Sequence, residues 1–310
     1  MDPIQRILTY WNAKSERPLG PVEAIMINAV LTLEHVLSPD RFDEETITAA
    51  FLGSLAGGLP WVALAVGSRA PDGSEVAWGH FAKKASSVKH VIAESTSGAD
   101  FALTIRIAPD RVRLGLFQAK RPKDRATRKI LIFKDAPDQA QQKAQFRALR
   151  KTAMEITESA LGRSAWLLDL HWVHYLGYLR DGPVAVALPT LHAHAAAAAK
   201  IDTPTSVDVT FDVPDGARLL MHLLSAAVAT PPGMDCPGWL EMTPAQANEQ
   251  LPNLTPLMPV FAADERESGG MPLDIVDTIS VIVSSSPDPK PSEDAAPTSG
   301  ATLQRNFPRM

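Results

Sequence analysis

Cysteine is almost missing from this chain. Cys236 is the single one in 310 residues, which rules out a disulfide framework and fits a reducing cytoplasm. Also missing are a Gly-x-Gly-x-x-Gly fingerprint, a phosphate-binding P-loop, paired Cys/His with zinc spacing, and any internal repeat, so dinucleotide, ATP and structural-zinc chemistry have no support. The opening Met1 to Trp11 carries neither the basic nor the apolar segment of a secretory signal. The longest uncharged run, Ile47 to Gly67, is interrupted by four Gly and Pro60. A helix, a turn at Gly57-Gly58 and a buried strand at Pro60–Val66 are expected there, and no membrane span.

Global basicity is missing too, since the net charge is −5. The distribution is uneven, however. Residues 111 to 151 hold thirteen Lys and Arg against three Asp, a local balance of +10 in an otherwise acidic chain. Such a segment suits a polyphosphate partner, although a solvated charged face would look the same.

The central pattern runs from Glu94 to Arg121. Phe101, Leu103, Ile105 and Ile107 alternate with small or polar residues, and Val112, Leu114 and Leu116 do so again. This is the period of half-buried strands, and Ala108-Pro109-Asp110 between them makes a turn. With the turn centred on Pro109, opposed residue numbers sum to 218, which sets Asp100 across from Gln118. Lys120 then shares the face of Gln118. A carboxylate, an amide and an ammonium gather at the open end of the hairpin.

Helices are expected before and after it. Asp43 is a candidate N-cap for a helix starting at Glu44, with Glu44, Ile47, Thr48 and Phe51 on its inner face. Acids in a first helical turn also suit the dipole without any further role. A long helix is expected from about Pro137 to Leu161, with Phe146, Leu149, Ala153 and Ile156 as its buried stripe and Gln145 a candidate toward the hairpin. Ala165 to Tyr178 reads as a central strand, Val207 to Phe211 as another strand, and Ala217 to Val228 as a helix. His171 and His174 on opposite strand faces, and His192 and His194 opening an Ala-rich helix, favour packing over a metal. Four segments result: an N-terminal helical extension (1–40), a main domain (41–230), a loop-rich stretch (231–283) and a Ser/Pro-rich tail (284–310) expected to be disordered.

Ser97-Gly98-Ala99-Asp100, then Gln118-Ala119-Lys120-Arg121, with Glu44-Glu45-Thr46-Ile47-Thr48 upstream, resembles the PD-(D/E)XK nuclease superfamily over roughly residues 40 to 180, in a bacterial branch with a Gly-Ala-Asp…Gln-Ala-Lys-Arg motif. The resemblance implies an α/β (α+β) fold with a restriction-endonuclease-like αβββαβ core, a mixed central sheet flanked by helices, and extra N-terminal helices. It implies a cytoplasmic, Mg²⁺- or Mn²⁺-dependent nuclease acting on DNA in preference to RNA, in phage defence or as a toxin. Asp100, Gln118, Lys120 and Glu44 are the implied catalytic residues, and Asp100, Gln118, Glu44 and the Ala119 carbonyl the metal ligands. Glu45, Glu94 and Gln145 are further candidates. Arg121, Lys123, Arg125 and Arg128 are the implied nucleic-acid contacts. Gln118 departs from the usual acid and brings no charge to the site. Two other readings stay open: a non-catalytic module that binds nucleic acid or a partner, and a subunit of a defence assembly, homodimeric or docked through its N-terminal helices.

Overall fold

A computed structural model describes residues 21–36, 42–66, 75–80, 98–122, 127–133, 140–197, 209–213, 218–254, 260–266 and 278–282. It begins with helices α1 (Pro21–Val36) and α2 (Glu44–Val66) and strand β1 (Glu75–His80). The hairpin follows as β2 (Phe101–Ala108) and β3 (Arg111–Lys120), then β4 (Lys129–Phe133) and the long helix α3 (Ala140–Leu161). A single 3₁₀ turn (Leu167–Leu170) leads into β5 (Val173–Leu179), β6 (Gly182–Ala187) and helix α4 (Leu188–Ala197). The rest comprises β7 (Val209–Asp212), β8 (Arg218–Leu219), α5 (Leu220–Ala229), β9 (Leu240–Met242), α6 (Pro244–Leu254), β10 (Val260–Arg266) and β11 (Thr278–Ile282).

These elements make a mixed α/β fold, a mixed sheet flanked by helices. Its strand order is β11-β1-β10-β2-β3-β5-β6-β8, with β9 paired to β3. β2 and β3 are antiparallel, whereas β10 is parallel to β2 and β5 is parallel to β3. The hairpin register is the expected one: Phe101 faces Phe117 and the pairs sum to 218 as far as Arg106 and Val112, where a bulge follows.

Each face of the sheet buries its own apolar layer. Ala102, Leu114, Leu116 and Tyr175 pack under Phe146, Leu149, Ala153 and Ile156 of α3, the stripe that the 3.6-residue period picks out. The opposite face sets Phe101, Phe117 and Leu176 against Ile25, Val30, Phe51 and Leu55 of α1 and α2, with Leu223 and Leu224 of α5. Phe101 and Phe117 stack with centroids 4.9 Å apart, a cross-strand aromatic pair that fixes the register on this side.

Three expectations are corrected. Pro60–Val66 is not a strand but the last part of α2, which runs unbroken through Gly57-Gly58 and Pro60. A short apolar run has the same composition in a buried strand and a buried helix, and periodicity cannot separate them. The central strand read over Ala165–Tyr178 begins only at Val173, after the 3₁₀ turn. The stretch 231–283 does not stand apart as loop: it supplies β9, α6, β10 and β11, and β10 lies directly beside β2. Among the described residues, no helix is long and apolar enough to cross a membrane.

Two buried polar groups tie the sheet to its covering layers. Arg113, wholly buried in β3, donates to the carbonyls of Ala227, Thr230 and Pro231 at the end of α5 and pairs with Glu241 at 3.0 Å. Carbonyls at a helix C-terminus suit a cation. His174, on β5 against Phe117, donates from Nε2 to the Gly238 carbonyl at 2.9 Å. Burial pushes its pKa down to about 4, partly opposed by that hydrogen bond. The unfolded chain therefore takes up the proton first. Stability is whole above pH 6.5 and declines as the pH falls toward 4, by about 3 kcal/mol in total. Urea unfolding between pH 7 and 4 should show this slope, and His174→Phe should flatten it.

Candidate functional site

Strand β3 outlasts its partner. β2 begins at Phe101, opposite Phe117, and beyond that point no strand among the described residues accepts the amide protons on this edge of β3. Two carboxylates take them. Ala119 N donates to Asp100 Oδ2 at 2.6 Å, and Arg121 N donates to Glu44 Oε2 at 2.9 Å. The two amides lie roughly 7 Å apart along the strand, so Asp100 and Glu44 are moored side by side at its C-terminal end.

Each mooring has a local cause. Asp100 follows Gly98, whose φ of +70° is in the left-handed region that glycine adopts without strain. A Cβ on Gly98 would stand 2.0 Å from the Gln145 carbonyl oxygen and 2.6 Å from the Leu149 amide nitrogen. Glycine thus lets the backbone of α3 close over the start of β2, and Asp100 N completes the turn by donating to the Phe117 carbonyl at 2.9 Å. Gln145, the downstream candidate, is buried on that same turn of α3. Glu44 opens α2 behind its N-cap, since Thr46 N donates to Asp43 Oδ1 at 2.7 Å. That bond, together with the Thr46 side chain, holds the Asp43 carboxyl below its ordinary pKa.

The side chains interlock across these moorings. Gln118 Nε2 donates to Asp100 Oδ2 at 2.7 Å and, more weakly, to the Ala119 carbonyl at 3.3 Å. Lys120 Nζ lies 3.4 Å from Glu44 Oε1, with side chains 15% and 30% exposed. Thr48 bridges from α2 to Tyr178 of β5 through hydroxyls 2.9 Å apart. Burial drives the phenols of Tyr175 and Tyr178 well above their usual pKa, and the charges of Asp100 and Glu44 push the same way. Both tyrosines therefore stay neutral around two carboxylates.

A divalent cation can be tested against one atom. Gln118 is completely buried, and its Oε1 finds no donor among the described residues. An acceptor left in that state costs about 1–3 kcal/mol. The same side chain touches Asp100 and the Ala119 carbonyl, and Glu44 is moored at the next amide on this edge, an all-oxygen set of the kind a hard cation takes. The residues fit such an ion, with two carboxylates in place of three: among the described residues no three His, Cys, Asp or Glu side chains form a ligating group.

The other candidates are scattered. Glu45 is exposed beside the moored Glu44. Arg128 pairs with Asp181 on the turn between β5 and β6, so its charge is already engaged. Glu94, Lys123 and Arg125 lie outside the described residues. Arg111 and Arg113 serve Glu241 at the far end of the hairpin, which removes two cations from the basic segment. The histidine pairs do not converge: His171 sits in the turn before β5, while His192 bonds Arg150 and His194 the Thr210 carbonyl. Tyr175, paired with Gln118 across the parallel strands, was not marked by the sequence, because no local pattern gives the register of β3 against β5.

Comparison with protein-family models, with characterised proteins and with solved structures finds no match.

Gly98→Ala should cost about 3 kcal/mol, since backbone on both sides of the clash must move. Urea unfolding measures this. A loss under 1 kcal/mol would mean that α3 does not seat Asp100 through this contact.

Proposed function

We propose that this protein is a metal-dependent nuclease that hydrolyses phosphodiester bonds, in DNA rather than RNA, at the end of β3. The observation that carries the reading is the convergence of Asp100, Gln118, Lys120 and Glu44 on one strand terminus, with an orphaned buried oxygen among them. Helix α2, the β2–β3 hairpin, helix α3 after the intervening β4, and β5 parallel to β3 support this reading, since a restriction-endonuclease-like core would need a helix–hairpin–helix–strand segment. The strand next to β2 comes instead from β10.

Asp100, Gln118 Oε1, the Ala119 carbonyl and Glu44 would hold Mg²⁺ or Mn²⁺. The ion would supply a more acidic water and neutralise charge on the phosphoryl oxygens. The chain's own residues do the rest. Asp100 keeps its carboxylate in place through two N–H donors, one of them backbone, so its orientation is set before substrate arrives. Lys120 is the ammonium of the group. Its 3.4 Å contact with Glu44 is long for an ion pair, and on leaving it the ammonium donates to a phosphoryl oxygen or orients the attacking water. Arg121, whose amide anchors Glu44, carries its guanidinium next to the same end of the strand and would hold a flanking phosphate.

One observation favours the non-catalytic reading. With an amide at Gln118 and Lys120 closed onto Glu44, the site has little uncompensated negative charge to draw a cation. A module that binds nucleic acid without cutting it would tolerate that arrangement.

Plasmid, linear DNA and RNA, each incubated with the pure protein and Mg²⁺ or Mn²⁺, decide between them. Cutting that stops with EDTA and falls at least about a hundredfold in Asp100→Asn and Lys120→Ala is the expected result. Three inert proteins that retain nucleic acid equally well would end the hydrolytic reading.

A further inference from the structure

The flank of α3 away from the sheet carries a second constellation. Arg147, Arg150, Lys151 and His192 surround a cavity of about 420 Å³ whose floor is Met154 and Leu167. None of the six lining residues is acidic. Arg147 has like-charged neighbours three and four residues on, a spacing that destabilises a helix by repulsion. Lys151 also lies 3.9 Å from the well-exposed Glu155. His192 does not add to the charge: Arg150 Nη1 donates to its Nε2 at 2.8 Å, which requires a neutral ring. Phe146 stacks on that ring at 6.3 Å and helps to fix it. Three cations lining one pocket with Met154 and Leu167 make a seat for an anionic group attached to an apolar one.

An aromatic stands beside it. Leu167, in the floor, lies between Trp166 and Leu168, which are 72% and 79% exposed. Trp166 is not loosely displayed. Its backbone N–H donates to Asp169 Oδ2 at 2.7 Å, and Arg163 grips the same carboxylate with two nitrogens at 2.8 and 2.9 Å. The built turn thus presents an indole to solvent next to a basic cavity. Exposed indole faces stack on unpaired bases, and the cations supply the phosphate contact. A duplex keeps its bases stacked inside and offers no such face.

We propose that the Arg147–Arg150–Lys151 cavity and Trp166 form a subsite for single-stranded nucleic acid, with a backbone phosphate in the cavity and a base on the indole. Arg150 lies about 7.5 Å along the helix from Gln145, whose turn seats Gly98 and Asp100. The pocket and the seat of Asp100 are thus served by neighbouring turns of the same helix. The proposal rests on the nucleic-acid part of the preceding reading and not on hydrolysis.

The test uses the full chain carrying Asp100→Asn, in EDTA, so that cutting does not interfere. Fluorescence anisotropy follows labelled oligo-dT and a duplex of equal length. Oligo-dT should bind more tightly than the duplex. Trp166→Ala should weaken oligo-dT about tenfold and leave the duplex unchanged. Arg147→Ala with Lys151→Ala, both exposed side chains, should reduce the slope of log Kd against log salt for oligo-dT by about 1.4. No binding of oligo-dT by the parent, equal effects of Trp166→Ala on both ligands, or an unchanged salt slope would each overturn the subsite. Native circular dichroism of the variants keeps misfolding from imitating a loss. If the wild type fails to cut while these shifts appear, hydrolysis falls and the subsite stands.

Discussion

The site depends on an unpaired strand edge. Where β2 stops and β3 continues, backbone N–H groups need acceptors, and an exposed edge of this kind invites pairing with another chain. Here Asp100 and Glu44 satisfy Ala119 N and Arg121 N. The same hydrogen bonds that close the edge draw two carboxylates to one strand terminus. Both layers share in this: α3 presses on Gly98 from one face, and α2 delivers Glu44 from the other. The geometry of the candidate site is thus a by-product of finishing the sheet, and it would persist without any ligand.

Charge is distributed with the same economy. Arg113 pairs with Glu241, with three carbonyls taking further Nη donors and its buried Nε left without a partner among the described residues. A buried pair of this sort gains little net energy, but removing one partner strands the other. Arg128 with Asp181, and Lys129 with Asp212, close the outer edge of the basic segment. Along α3, Arg147, Arg150 and Lys151 line one pocket together with Met154 and Leu167. Among the described residues, the basic segment thus contributes fold-stabilising pairs at one end and a group of neighbouring cations on α3 at the other.

Much of the hairpin was legible in advance, because strand alternation and a Pro-Asp turn are local signals. The register followed from the turn centre, and the Phe101–Phe117 pair confirms it. The preference for Glu44 over Glu45 came from helical periodicity and matches the mooring to Arg121 N. The N-cap at Asp43 and the stripe of α3 were local as well. Other features were not local. Pro60–Val66 looked like a strand because apolar composition alone does not choose between buried elements. The placement of β10 beside β2 joins residues about 160 positions apart, and no short-range pattern encodes such a pairing. Gly98 appeared as part of a motif, while its cause, the backbone of α3 at 2.0 Å from a hypothetical Cβ, is visible only in three dimensions.

The cation site proposed at Asp100, Gln118 and Glu44 can be probed by Mn²⁺ binding followed by electron paramagnetic resonance. One Mn²⁺ per chain should bind to the wild type, compete with Mg²⁺, and be lost in Asp100→Asn. Equal Mn²⁺ uptake by both proteins, or none by either, would contradict it.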